Sequence, residues 1–254
     1  MENLDLFLLN DQLTEDELLI QKTANDFCKN SLFPRILEAN RNEVFDKSIY
    51  KELGDLGLLG ATINGYGCAG TSYVSYGLIT REIEKVDSGY RSAYSVQSSL
   101  VMHSIYEFGS DDQKDKYLPE LAKGNLIGCF GLTEPDAGSD PSSMKTKCKK
   151  VDGGYKISGS KTWISNSPIA DILIIWAKDE DNTLKGFIVK SGSKGLETPK
   201  IDGKFSLRAS VTGSIFMDEV FVPDEDLLPS KSIVFKRRNS YMNKANLCGK
   251  FLST

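Results

Sequence analysis

Cys129-Phe-Gly-Leu-Thr-Glu-Pro-Asp-Ala-Gly-Ser-Asp140 is the stretch on which the reading of this chain turns. The residues before it carry helix patterning, and most of those after it carry strand and turn patterning. Pro135, Gly138 and Pro141 keep it from forming a regular helix or a central strand. Small, hydroxyl and acidic side chains crowd into it, a composition that suits a domain linker and a ligand loop equally.

Upstream, Thr14-Glu-Asp-Glu17 has the form of a capping box. Its helix is expected to run to about Asn30 and to be interrupted at Pro34. Asp46 opens a short second helix carrying Ile49, Leu53 and Leu56. Asn64-Gly-Tyr-Gly-Cys-Ala-Gly70 reads as a loop whose glycines permit positive φ. Thr71 caps a third helix with an apolar stripe through Val74, Leu78, Ile79, Ile83 and Val86. A fourth is expected over Ser92 to Phe108, ended by Gly109. Ser110-Asp-Asp-Gln113 is a second capping box, opening a fifth helix that Gly124 closes. Residues 1–125 therefore read as one all-helical domain.

Downstream, Asp152-Gly-Gly154 is a hairpin turn between strands 147–150 and 155–158. Ile172-Leu-Ile-Ile-Trp176 is a short apolar run bounded by polar residues, hence a buried strand. Residues 186–189 are expected to pair with it across the turn at 179–182, and 213–223 to form a further strand. Residues 126–229 make a β domain, and the fold class is α+β.

The chain has 254 residues, 40% hydrophobic and 26% charged, which is ordinary for a globular protein. No run approaches a membrane span, and the acidic N-terminus lacks the pattern of a secretion or transit signal. The five scattered cysteines form no CxxC pair and suggest neither a disulfide framework nor a zinc site. A reducing, cytoplasmic setting is the expectation. Residues 231–254 carry six basic residues and no acidic one, leaving 25 basic against 35 acidic elsewhere. A nucleic-acid arm is one reading of such a tail, but no aromatic interleaving supports nucleic-acid binding. The lone His103 falls among hydroxyl and apolar residues and reads as structural, so a Ser-His-Asp triad has no good base. Phosphate-binding glycine loops of the mononucleotide and dinucleotide kinds are absent.

What remains is a constellation of Thr133, Ser139, Trp163 and Ser165 at loop or strand ends. A flat heteroaromatic cofactor needs a stacking platform and hydrogen-bond donors at its ring edge. Trp163 suits the first, and Thr133 and Ser165 the second. Without further information an ordinary core position for Trp163 is the favoured reading, and a flavin site the alternative.

Phe130-Gly-Leu-Thr-Glu-Pro-Asp-Ala-Gly-Ser-Asp140 resembles the first signature of the acyl-CoA dehydrogenase family, and Lys161-Thr-Trp-Ile-Ser-Asn166 its second flavin-contacting segment. Phe221-Val-Pro-Asp-Glu-Asp-Leu-Leu-Pro229 is similar to the end of the family's β domain. The resemblance covers about residues 10–229. Asp87 to His103 and Lys204-Phe-Ser-Leu-Arg-Ala-Ser210 resemble the glutaryl-CoA dehydrogenase branch; other branches generally place glycine where Ala209 stands.

The resemblance implies a helical domain, a β-barrel-like middle domain and a C-terminal helical domain, with FAD between them. It implies oxidation of an acyl-CoA across its α and β carbons: a glutamate takes the α proton, the flavin N5 takes the β hydride, and an electron-transferring flavoprotein takes the electrons. In the glutaryl branch, which serves lysine and tryptophan degradation, loss of CO2 then gives crotonyl-CoA. By position, Phe130, Leu132 and Thr133 meet the flavin through backbone and hydroxyl groups, while Trp163, Ile164 and Ser165 cover its other side. Ser139 contacts the CoA chain. Arg91 grips the distal carboxylate of glutaryl-CoA, since a guanidinium donates two parallel hydrogen bonds, with Ser92, Ser95 and Glu84 lining that end. A solvated Arg91 and a surface Glu84 paired with Lys85 or Arg81 are the alternatives.

Beyond Pro229 the chain departs from the pattern. The family continues with a C-terminal helical domain that carries the catalytic glutamate, flavin contacts and much of the homotetramer surface; here residues 230–254 form a divergent basic tail. No residue of this chain is assigned as the α-proton base, and Glu134 has no claim to that role. The expectations are a truncated chain with weak FAD retention and poor activity. The alternatives are a dehydrogenase of another short acyl-CoA, or a non-catalytic flavin- or CoA-binding remnant.

Overall fold

The computed structural model describes residues 8–229, and the basic tail lies outside them. Helix α1 (Glu15–Phe27) begins with the expected box: the Thr14 hydroxyl accepts from Glu17 N–H at 3.3 Å, and the Glu17 carboxylate accepts from Thr14 N–H at 3.1 Å. The chain does not stop at Pro34. It passes through a widened π turn (Cys28–Leu32) straight into α2 (Phe33–Asn42). Pro34 falls in the first turn of α2, where its missing N–H has little to lose, and the π turn absorbs the change of hydrogen-bonding register.

Helix α3 (Ser48–Asp55) precedes a small hairpin of β1 (Asn64–Gly65) and β2 (Cys68–Ala69). Tyr66 and Gly67 between them both have positive φ, 54° and 78°, as a tight two-residue hairpin turn demands. Helix α4 (Tyr73–Glu84) is capped by Ser72 rather than Thr71, whose hydroxyl donates instead to the Ala61 carbonyl at 2.9 Å. Helix α5 (Ser88–Ser95) starts four residues earlier than expected, because Asp87 accepts from Gly89 N–H at 2.6 Å and caps it. A second π turn (Val96–Val101) carries it into α6 (Met102–Phe108), and α7 (Asp111–Ala122) opens with the Ser110 box.

The seven-stranded sheet contains β3 (Gly128–Gly131), β4 (Lys147–Val151), β5 (Gly154–Ser165), β6 (Ile172–Lys178), β7 (Leu184–Lys190), β8 (Leu196–Glu197) and β9 (Thr212–Pro223). It is mixed and curled, ordered β3-β6-β4-β5-β9-β8, with β7 paired to β6. Strands β4 and β5 pair antiparallel across Asp152-Gly-Gly154, whereas β3 and β6 run parallel.

Strand β6 explains its own composition. Ile172, Ile174 and Trp176 join the helical core, while Leu173, Ile175 and Ala177 join the core inside the curled sheet. A strand buried on both faces reads as a continuous apolar run rather than an alternation. The helices thus dock on one face of β3 and β6, which brings the signature loop, just after β3, to the joint. No helix among the described residues is long and apolar enough to cross a membrane.

Candidate functional site

The site grows from an irregularity in β5. Its pairing with β9 shifts register between Lys161 and Ile164. A bulge of this kind re-aims side chains and bends the strand. Within it Trp163 adopts φ 59°, in the left-handed region, and the residue is 62% exposed. This corrects the core reading of Trp163. The tryptophan that does pack in the core is Trp176, with the rings of Phe108 and Phe130 edge-on at 6.2 and 6.1 Å. A bulky side chain held outward in an unfavourable backbone conformation points to a functional constraint.

The signature loop lies directly beside this bulge. Thr162 N–H donates to the Thr133 carbonyl at 3.0 Å, and Lys161 Nζ donates to the Leu132 carbonyl at 3.1 Å. Residues 130–133 and 161–165, separate in sequence, therefore form one edge. Leu132, Thr133 and Ser165 are half-buried there, and Ser139 is exposed beyond the Glu134–Ala137 bridge. Phe130 turns its ring to Trp176 and Ile164 is buried, so these two can offer a ligand little beyond backbone. Thr133 N–H makes no hydrogen bond among the described residues. An open aromatic face, two half-buried hydroxyls and an unspent backbone donor fit a flat heteroaromatic ring such as a flavin.

A buried ion pair that sequence reasoning missed lies behind this edge. Lys161 is 0% exposed and Glu134 5%, and they meet at 2.8 Å. The Glu134 carboxylate also accepts from the backbone N–H groups of Lys145 at 2.5 Å and Thr146 at 3.0 Å. Burial works against its charge, but Lys161 and these hydrogen bonds hold its pKa below the ordinary carboxylate value. Glu134 is thus buried with both oxygens engaged, and its lowered pKa makes it a weak base, so it is poorly placed to take a proton from a substrate. Its signal in the sequence was a lysine at an inward-facing position of β5, in line with buried Ile157 and Ile164.

Arg91 stands within α5, not ahead of it. Its Nε donates to Glu84 at 2.8 Å, and the Ser88 hydroxyl donates to the same carboxylate. Burial opposes the Glu84 charge, but Ser88 and Arg91 outweigh it and lower its pKa. Glu84 is therefore paired with Arg91 rather than with Lys85 or Arg81, which both engage Glu82. The Arg91 Nη groups make no hydrogen bond among the described residues. Ser92 and Ser95 lie half-buried on the same helix, three residues apart and so on adjoining positions of one face.

Gly89, two residues before Arg91, lets α5 close on the 204–210 loop: a Cβ there would stand 2.9 Å from Ser210 N and 3.0 Å from Ala209 C. That loop is pinned by Lys204, which donates to the Leu207 carbonyl and Thr212 hydroxyl at 2.8 Å, and by Arg208, which donates to the Asn40 carbonyl at 3.0 Å. Gly128 links the helices to this edge. Its N–H donates to Gln97 at 2.9 Å, and its carbonyl accepts from Asn166, the residue closing the second segment, at 3.1 Å. His103 bonds Thr62 at 2.8 Å within the helical unit, consistent with a structural role. No group of three or more His, Cys, Asp or Glu is placed to hold a metal ion among the described residues.

A helical unit docked on one face of a curled mixed sheet, with the signature loop at the joint, defines the acyl-CoA dehydrogenase fold. The family descriptions "Acyl-CoA dehydrogenase, N-terminal domain" and "Acyl-CoA dehydrogenase, middle domain" match residues 14–125 and 129–220. The chain belongs to the acyl-CoA dehydrogenase family.

Among solved structures it is similar to a glutaryl-CoA dehydrogenase from Mycobacterium smegmatis in complex with FADH2, at 41% identity and a TM-score of 0.93. That match covers 98% of this chain and 64% of the other. It is also similar to a chain from a structure described as an electron transferring flavoprotein of Acidaminococcus fermentans, at 32% identity and a TM-score of 0.87, covering 93% and 63%. A curated relative, the mitochondrial isovaleryl-CoA dehydrogenase of Pongo abelii, is 34% identical over 225 residues, covering 85% of this chain and 53% of that protein. The chain thus spans between about half and two thirds of the length of these relatives.

Proposed function

We propose that this chain carries the flavin edge and acyl-recognition end of an FAD-dependent acyl-CoA dehydrogenase whose substrate is glutaryl-CoA. The observation that carries the reading is the single edge formed by residues 130–133 and 161–165, with Trp163 held open beside the unspent Thr133 N–H. FAD, when bound, supplies the acceptor for a hydride from the substrate's β carbon. Thr133 and Ser165 donate to the ring edge and stabilise charge that develops there, Trp163 covers one side, and Ser139 meets the CoA chain. Electrons leave to an electron-transferring flavoprotein, a partner favoured by the likeness to the Acidaminococcus chain.

Arg91 supports the glutaryl assignment. Glu84, itself held by the Ser88 hydroxyl, accepts from its Nε, leaving the Nη fork for the distal carboxylate. The likeness to isovaleryl-CoA dehydrogenase favours a second reading, a short neutral acyl-CoA.

Anaerobic titration of the FAD-loaded protein with glutaryl-CoA and with butyryl-CoA separates the two, read as thioester affinity from the ligand-induced shift of the visible flavin band, a readout that needs no catalytic base. On the first reading Arg91→Ala weakens the glutaryl-CoA response by about tenfold to a hundredfold and spares butyryl-CoA. Equal responses to both thioesters in wild type and variant would favour the second.

A further inference from the structure

The buried Lys161–Glu134 pair does more than fill the core, because of where its hydrogen bonds go. Lys161 Nζ donates to the Leu132 carbonyl at 3.1 Å and to Glu134 Oε1 at 2.8 Å. A trans peptide is planar, with its C=O and N–H pointing in opposite directions. Drawing the Leu132 carbonyl inward to Lys161 therefore turns the N–H of the same peptide, that of Thr133, away from the buried amine. This is the donor that has no partner among the described residues. The next peptide is held as well, since the Thr133 carbonyl accepts from Thr162 N–H at 3.0 Å.

Glu134 fixes the other end of the device. Its carboxylate gathers Lys161 from β5 with Lys145 and Thr146 N–H groups from the approach to β4. It also closes the turn to Ala137 through two backbone hydrogen bonds of 3.2 Å. The ammonium thus stands between the two ring-facing segments and reaches neither ring-facing surface itself.

We infer that Lys161 is a positioning residue: through the Leu132 carbonyl it sets the Leu132–Thr133 peptide so that Thr133 N–H faces a bound flavin ring. This inference rests on the FAD reading above for its ligand, but not for its geometry. A burial role alone would make the pair exchangeable, since a buried ion pair replaced by apolar side chains of similar volume is often neutral or stabilising. A positioning role makes it irreplaceable for binding even where stability recovers.

The test compares wild type, Lys161→Met and the double variant Lys161→Met/Glu134→Gln in the full chain; the introduced amide oxygen can still accept from Lys145 and Thr146 N–H while carrying no charge. Thermal unfolding by circular dichroism reads the fold, and FAD titration by quenching of flavin fluorescence reads the site. Lys161→Met alone strands the Glu134 charge and is expected to lower the melting temperature. The double variant is expected to recover most of the melting temperature lost in Lys161→Met, because no buried charge is left stranded, while binding FAD about tenfold or more weakly than wild type. A double variant that regains wild-type FAD affinity overturns the inference, and so does one that fails to regain its fold.

Should wild type show no saturable FAD binding, the functional reading fails on its own. The inference is then decided by a crystal structure of the double variant, in which a reoriented Leu132–Thr133 peptide upholds it and an unmoved one overturns it.

Discussion

At the residue scale, the informative positions are those where side chain and surroundings disagree. Trp163 is aromatic yet 62% exposed at φ 59°, and Lys161 is charged yet 0% exposed. Neither choice serves the core, and together they frame one edge. Because its ring is mostly in solvent, Trp163→Ala should leave urea stability within about 0.5 kcal/mol of wild type. A loss of several kcal/mol would instead show the ring to be part of the fold.

Residue type suggested this edge only as an alternative to a core Trp163, an aromatic near hydroxyls suiting a platform with donors; the resemblance of residues 130–140 and 161–166 to the family's two segments is what singled it out. The sequence could not show the outward turn of Trp163, because that depends on a register shift against β9, some fifty residues away. The Lys161–Glu134 pair was hidden for the same reason, as its partners lie on different strands and loops.

At the element scale, local signals were legible and long-range ones were not. The Thr14 and Ser110 boxes, the Asp152-Gly-Gly154 turn and the antiparallel pairing of β6 with β7 depend on neighbours close in sequence, and the structure contains all of them. The passage through Pro34 needed a π turn that no short pattern announces. The parallel pairing of β3 with β6 joins Gly128 to Ile172 across an intervening pair of strands.

That β3 contact is tight where the helices meet the sheet. A Cβ on Gly128 would stand 2.4 Å from Val101 Cγ1 and 2.9 Å from Cγ2, and Val101 is fully buried with a stiff χ1. Gly128→Ala should cost about 1–3 kcal/mol in urea unfolding, and adding Val101→Ala should restore part of it by making room. An unchanged midpoint for Gly128→Ala would mean the helices are not seated on β3 as described.

At the scale of the molecule, three carboxylates tie separate elements together. Glu82 joins α4 to α1 through Gln21 at 3.4 Å and Asn25 at 2.8 Å, Glu84 joins α4 to α5, and Glu134 joins the signature loop to β4 and β5. Burial opposes each charge, but their partners win, and all three pKa values lie below the ordinary 4.5. A carboxylate with a lowered folded pKa adds stability that is complete above the unfolded value and is lost as pH falls through the folded one. Urea midpoints should therefore hold down to about pH 5 and then decline toward about pH 3. Glu134→Gln should start lower and decline less steeply; a decline as steep as wild type would remove Glu134 from this account.

The same scale bears on function. The helical unit and the curled sheet are each ordinary; what they bring together is the edge of residues 130–133 and 161–165, which we propose receives a flavin ring, and on which Glu134, among the described residues, is already engaged by Lys161, Lys145 and Thr146. The most direct measurement of that claim is equilibrium titration of the purified chain with FAD, followed by flavin fluorescence and the visible band. The account predicts saturable binding of one FAD per chain, weakened by about tenfold or more in Trp163→Ala without loss of fold. Non-saturable uptake, or identical binding by wild type and Trp163→Ala, would contradict it.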